Sequence, residues 1–286
     1  LSELYGPGPE MHEVQDLMIP GDDGGEFSLR VLTPSPSPAA VIVYFHGGGW
    51  VLENLTGYDT LGRQLAAKSG AAVVLVEYRK APEHPFPIPV DDAWAGMKWA
   101  EEHVARKDGK SLPLIVAGDS AGANLAAVVA QRARDKGAPA LAQQILVCPV
   151  TDADFTRDSY RDPENQTMVS IEAMQWFWDQ YVPDADLRNE PTATPLNARD
   201  LTGLAPALVI TAEHDVLRDE GEAYVEALRN AGVDVEHHRW SGQMHTFFSM
   251  VNVLPGSAEA IELVTDRIRD IAGTTPRQLD RESVSN

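Results

Sequence analysis

A single cysteine, Cys148, occurs in 286 residues, which excludes a disulfide within the chain and leaves no cysteine cluster for a metal. Basic residues are scarce: 23 Lys and Arg stand against 43 Asp and Glu, a formal charge of −20. A surface this acidic repels phosphate backbones and anionic headgroups, so neither nucleic acid nor a membrane is expected as a partner. Long apolar runs are missing too, since stretches such as Ala71–Val76 fall far short of the ~20 residues that cross a bilayer. The N-terminus shows no basic segment followed by an apolar one. No signal peptide is therefore expected, and a cytoplasmic location is. What is present is an ordinary globular composition, 43% hydrophobic and 23% charged, in a length that can bury a sizeable core.

Short apolar runs rich in Val and Ile recur after residue 40: Val41–Phe45, Ala72–Val76, Leu114–Ala117, Ile145–Cys148 and Leu208–Thr211. These read as strands buried on both faces of a mostly parallel sheet. Helical patterns lie between and after them, over Tyr58–Ser69, Val90–Ala105, Asn124–Lys136, Asp219–Ala231 and Ala258–Ala272. The last carries Ile261, Val264 and Ile268 at the spacing of a core-facing stripe. Repeated βα units of this kind imply an open α/β sheet with helices on both faces. Val14–Ile19 and Phe27–Leu32, joined by the turn-rich segment 21–25, read as an antiparallel hairpin at the sheet edge. The proline-rich stretch 33–38 reads as a loop feeding the next strand, and the polar tail Thr274–Asn286 as mobile. Residues 151–200 break the rhythm. Their segment Ile171–Tyr181, with Met174, Trp176, Phe177, Trp178 and Tyr181, leaves no clean polar face, so it must be buried or cover something, and we read the insertion as a lid.

Gly118-Asp119-Ser120-Ala121-Gly122 follows a buried strand and opens a helix. That is the setting of a nucleophile elbow, where a serine is held at a strained turn and small flanking residues let strand and helix backbones approach. Serine is a weak nucleophile at its free pKa and needs an adjacent base. On such an elbow the acid and then the histidine follow in the chain. His237 and His238 fall within Val233–Trp240, a strand whose neighbours point to opposite faces; His245, after Gly242, falls in the loop beyond it. His245 is therefore the expected base. Asp215, in the loop after Leu208–Thr211, is the expected acid, with Glu213 as its rival, while Asp219, Glu220 and Glu222 read as first-turn helix acids. His46-Gly47-Gly48-Gly49-Trp50 follows Val41–Phe45, where three glycines can turn amides toward one point as an oxyanion hole, with the Ala121 amide as a further donor. No dinucleotide fingerprint or lysine-bearing phosphate loop can be drawn through those glycines.

Together, His46-Gly47-Gly48-Gly49, Gly118-Asp119-Ser120-Ala121-Gly122, the run from Asp215 to Glu220, and Gly242-Gln243-Met244-His245 resemble the hormone-sensitive-lipase-like family of α/β-hydrolase carboxylesterases. The block from Glu77 to Pro87 resembles the one that family carries after its fourth strand, and the likeness runs from about Val14 to Ala272. The resemblance implies an α/β-hydrolase fold: an eight-stranded, mostly parallel sheet flanked by helices, with a helical cap. It implies ester hydrolysis without metal or other cofactor, a small-molecule ester as partner, and a homodimer. Its nucleophile, acid and base fall on Ser120, Asp215 and His245, and its oxyanion donors on Gly48, Gly49 and Ala121, with Gly47 as their neighbour. Two departures stand out: Val216 where the family usually has proline, and only about a dozen residues before the first strand.

We thus expect one catalytic domain over 1–286, with a cap built from about 1–13 and from 151–200. Gly6-Pro7-Gly8-Pro9 interrupts the first cap segment, so the pocket wall should come from the second. Trp50, Trp176, Phe177, Trp178 and Phe247 are the expected apolar lining. A narrow site favours short- to medium-chain acyl esters, aryl esters included. The alternatives are a non-catalytic receptor on the same fold, or hydrolysis of amides, lactones or carbamates.

Overall fold

The computed structural model describes residues 2–107 and 110–273; the tail expected to be mobile lies outside them. Its centre is an eight-stranded sheet. In chain order the strands are β1 (Glu13–Pro20), β2 (Glu26–Thr33), β3 (Val41–Phe45), β4 (Ala72–Glu77), β5 (Leu114–Asp119), β6 (Gln143–Val147), β7 (Ala207–His214) and β8 (Val235–Met244). Their spatial order is β1-β2-β4-β3-β5-β6-β7-β8, antiparallel from β1 to β4 and parallel from there onward. The expected hairpin is β1–β2, at one edge of the sheet.

Strand alternation divides the core in two. Val41, Val43 and Phe45 of β3 join Leu114 and Val116 of β5 on one face, against α3 (Ile88–Ala100), α4 (Ala121–Lys136) and α7 (Arg218–Asn230). Ile42 and Tyr44 join Ile115 and Ala117 on the other, against α2 (Leu55–Ser69) and α8 (Pro255–Ile271). Both faces of the central strands are covered, which is why they are apolar without interruption. The α8 stripe Ile261, Val264 and Ile268 packs on the sheet as its spacing requires. The helix expected to reach Ala105 ends at Ala100 and continues as a π-helical turn, Glu101–Ala105.

The N-terminal segment forms one turn, α1 (Ser2–Tyr5), before its Gly-Pro pairs. It is tied down by Thr60 Oγ1 donating to Gly6 O (2.6 Å) and Asn252 Nδ2 donating to Tyr5 O (2.7 Å). Between β6 and β7 lie α5 (Asp158–Arg161), α6 (Ile171–Tyr181) and three short 3₁₀ turns. Helix α6, capped by Ser170 Oγ, is not buried all round as its composition suggested. Met174, Trp178 and Tyr181 face the core at spacings of four and three, while Trp176 is 48% exposed. Among the described residues no helix is long and apolar enough to cross a membrane.

Candidate active site

Ser120 stands at the junction of β5 and α4 with φ +56° and ψ −123°, a conformation that non-glycine residues rarely adopt. The turn closes because its flanking residues lack side chains. A Cβ on Gly122 would overlap Phe45 O, and one on Gly118 would overlap the Gly122 backbone. The Ser120 amide donates to Val147 O (2.8 Å), which fixes the elbow to the neighbouring strand.

His245 follows the last residue of β8 directly, and the structure brings it to Ser120: Nε2 lies 2.9 Å from Ser120 Oγ. Its Nδ1 lies 2.8 Å from Asp215 Oδ2, and Asp215 Oδ1 accepts the Leu217 amide (2.9 Å). All three side chains are buried. Burial alone would push the His245 pKa down, but the charge and hydrogen bond of Asp215, aided by Asp119, outweigh it and hold it above the ordinary histidine value. The rival acid, Glu213, is occupied otherwise, accepting the Gly242 amide (2.7 Å) and so latching the end of β8 ahead of His245. His237 Nε2 lies 3.0 Å from Thr211 Oγ1 and His238 Nε2 lies 2.8 Å from Glu236 Oε1, both away from the serine.

The glycine loop after β3 is braced from below. Tyr44 and Tyr58 donate to the two oxygens of Asp119 (2.8 and 2.7 Å), and the Gly47 amide donates to Tyr58 Oη (3.0 Å). Gly47 thus has its amide engaged, whereas among the described residues those of Gly48 and Gly49 meet no protein acceptor. Gly48 and Gly49 take φ of +102° and +61°, conformations that side chains disfavour. Sequence reasoning missed the Tyr44–Asp119–Tyr58 bracket. Asp119 was visible only as a motif letter, and nothing local marks two tyrosines on β3 and α2 as its partners.

A cavity of about 300 Å³ opens onto Ser120, His245, Gly48 and Gly49. Phe177 lines it, as expected, and rests on Gly49 where a Cβ would otherwise be. The other four expected lining residues are elsewhere. Trp50 is fully buried and stacks on Tyr181 at 4.0 Å, with Trp178 at 5.1 Å, so both tryptophans fill the core beneath the wall. Phe247 is buried against Trp240. Trp176 faces solvent because it is one helical step from Phe177, about 100° round the axis. In their place the cavity meets Met168, Val169, Ala173 and Met174 from the insertion, Leu52 and Glu53 after the glycine loop, and Tyr5 from α1.

Cys148, Asp215 and His245 offer potential metal-ligating atoms within 4.8 Å of one another. Asp215 and His245 already bond each other there, and burial holds the Cys148 thiol well above its usual pKa, hence protonated and a poor ligand. The donor set suits proton transfer better than metal binding.

The profile of the α/β hydrolase fold family matches residues 42–249. The chain is 42% identical over 223 residues to the carboxylesterase NlhH of Mycobacterium tuberculosis, covering 77% of this chain and 70% of the relative. It is 40% identical over 272 residues to the carboxylic ester hydrolase LipN of the same organism, covering 92% and 72%. Among solved structures, a hyperthermophilic esterase from the archaeon Pyrobaculum calidifontis superposes with a TM-score of 0.88 at 38% identity, covering 95% of this chain and 89% of that one.

Proposed function

The chain belongs to the α/β hydrolase fold family, among its hormone-sensitive-lipase-like carboxylesterases, and from that membership we infer a serine carboxylesterase working through an acyl-enzyme on Ser120. The observation that carries the residue assignment is the unbroken line from Ser120 Oγ to His245 (2.9 Å) to Asp215 (2.8 Å). His245 Nε2 takes the serine proton as Oγ attacks the ester carbonyl carbon. Asp215 holds Nδ1–H, fixes the tautomer and stabilises the imidazolium. The developing oxyanion is held by the amides of Gly48, Gly49 and Ala121, which need no reorganisation at the moment of reaction. Collapse of the tetrahedral adduct breaks the ester C–O bond, and His245 returns its proton to the leaving alcohol. Water then attacks the acyl-enzyme, His245 serving again as base, and releases the acid with Ser120 regenerated. A ligand receptor would need no histidine at bonding distance from the serine, which favours turnover over binding alone.

The reading is tested at Ser120. A fluorophosphonate should add covalently to the peptide carrying Ser120, and Ser120→Ala should lose nearly all turnover of p-nitrophenyl acetate; full activity in a clean preparation of that variant would overturn it.

Segments 1–13 and 151–200 act, in this proposal, as a cap over the one catalytic domain. The cap contributes Tyr5, Met168, Val169, Ala173, Met174 and Phe177 to a cavity at the small end of the range for ligand sites, roughly 300–1,000 Å³. Short acyl groups suit that volume, because each methylene that fits adds only about 0.8 kcal/mol of burial and one that clashes costs more. Across a p-nitrophenyl ester series kcat/KM should peak between acetyl and hexanoyl. A monotonic rise to dodecanoyl would reveal a deep acyl channel instead.

A further inference from the structure

Much of the wall of the cavity beside Ser120 is apolar, with Leu52, Met168, Val169 and Phe177 prominent, yet among the described residues two carboxylates line it and no lysine or arginine does. One of them, Asp119, has both oxygens engaged by tyrosine hydroxyls. The other, Glu53, is half-buried, and among the described residues its carboxylate has neither a hydrogen bond nor an ion pair. It is also held there against backbone preference: Glu53 takes φ +71°, in the left-handed region that favours glycine. Its neighbours leave it room. A Cβ on Gly57 would lie 2.5 Å from Glu53 Oε2, and one on Gly48 would lie 3.1 Å from Glu53 Cγ, so the side chain lies close to the oxyanion loop itself. Tyr5, Tyr58 and Phe177 line the same space. The charge reaches across it, since the Tyr5 hydroxyl is pushed up by burial first and by Glu53 second.

A carboxylate without a partner, half-buried in a largely apolar cavity beside aromatic side chains, is matched by a cation of modest size, which can gain both Coulomb and cation–π attraction. We propose that Glu53 makes this cavity a subsite for a positively charged nitrogen, so that the preferred esters carry an ammonium group on their acyl or alcohol portion. The net charge of −20 works in the same direction, drawing cationic substrates toward the molecule. The inference rests on the esterase reading and adds the charge of the substrate to it.

The test uses matched esters that differ only in charge. On the alcohol side these are acetylcholine and 3,3-dimethylbutyl acetate; on the acyl side, ethyl 4-aminobutyrate and ethyl pentanoate. The wild-type protein should prefer the cationic member of at least one pair in kcat/KM by about tenfold, and Glu53→Gln should abolish most of that ratio. Glu226→Gln removes the same charge from an exposed site on α7 and should leave the ratio unchanged. Preference for the neutral ester in both pairs overturns the proposal, as does a ratio that falls equally in the two variants. The wild-type comparison stands even if Glu53→Gln fails to fold. Should no ester be turned over and Ser120 resist labelling, the esterase reading fails by itself. Calorimetric binding of the same pairs to Ser120→Ala then decides the subsite: tighter binding of the cationic member supports it, and equal or weaker binding overturns it.

Discussion

His245 is pulled in two directions, by burial that favours the neutral ring and by the Asp215 carboxylate that favours the charged one, and the carboxylate prevails. The sign matters for activity. As the proposed base, His245 must be neutral to accept the serine proton, so a raised pKa moves the acid limb of the pH profile upward. Plotted as kcat/KM against pH, that limb should have its midpoint above the ordinary histidine value of 6.5. Replacing Asp215 by Asn removes the strongest influence raising it, so the midpoint should move down while the rate falls on the order of 10⁴-fold through loss of the correct tautomer. An unshifted midpoint, or a comparable loss in Glu213→Gln, would mean that the acid is misassigned. At this scale the sequence was most readable, because elbow, glycine loop and the order of acid and base are local patterns whose chemistry demands particular residue types. Gly47 is the refinement: only the fold could reveal that Tyr58 already takes its amide.

Elements divide what their residues share in composition. Apolar runs located the central strands to within a few residues, since burial on both faces leaves no other pattern. The aromatic residues of α6 could not be sorted this way. Adjacent positions on a helix point about 100° apart, so Trp176, Phe177 and Trp178 reach solvent, cavity and core respectively. Which of the three directions is the cavity depends on tertiary packing. Glu220 gives a second case. It reads as a first-turn acid of α7, yet it is fully buried and accepts from the amides of Thr151 and Asp152 and from the Tyr160 hydroxyl. The next acid back, Asp219, accepts the Ser159 amide (2.7 Å), so the start of the insertion is fastened to the segment that follows Asp215. Burial raises the Glu220 pKa from 4.5 to about 8. A carboxyl raised in the folded state stabilises the fold below its unfolded pKa, and that contribution is lost as pH climbs toward the folded value. The stability of the wild type relative to Glu220→Gln, from urea unfolding, should therefore fall between pH 5 and 8. A difference independent of pH would show that Glu220 does not titrate there.

The whole molecule carries its formal charge of −20 on a 31.1 kDa body. Surface ion pairs such as Arg30–Asp16 and Arg229–Glu226 contribute little individually. Self-repulsion among the excess carboxylates should dominate the salt response, because added ions screen it within a Debye length of about 10 Å at 0.1 M. Raising NaCl from about 10 to about 200 mM should thus raise Tm by a few degrees in a thermal scan. A falling Tm would show that attractive pairs outweigh the repulsion.

The division of α6 has a bearing on how this protein can change. Trp178 and Tyr181 form one packed group with Trp50, four residues beyond the start of the glycine loop, so substitutions there would disturb the fold and the glycine loop together. Ala173 and Phe177 touch the cavity from the same helix without being fully buried, and Met168 and Val169 do so from the loop before it. Mutational tolerance is therefore concentrated where new substrate preferences can arise. A library confined to positions 168, 169, 173 and 177 would reshape the pocket while leaving the aromatic group beneath it in place.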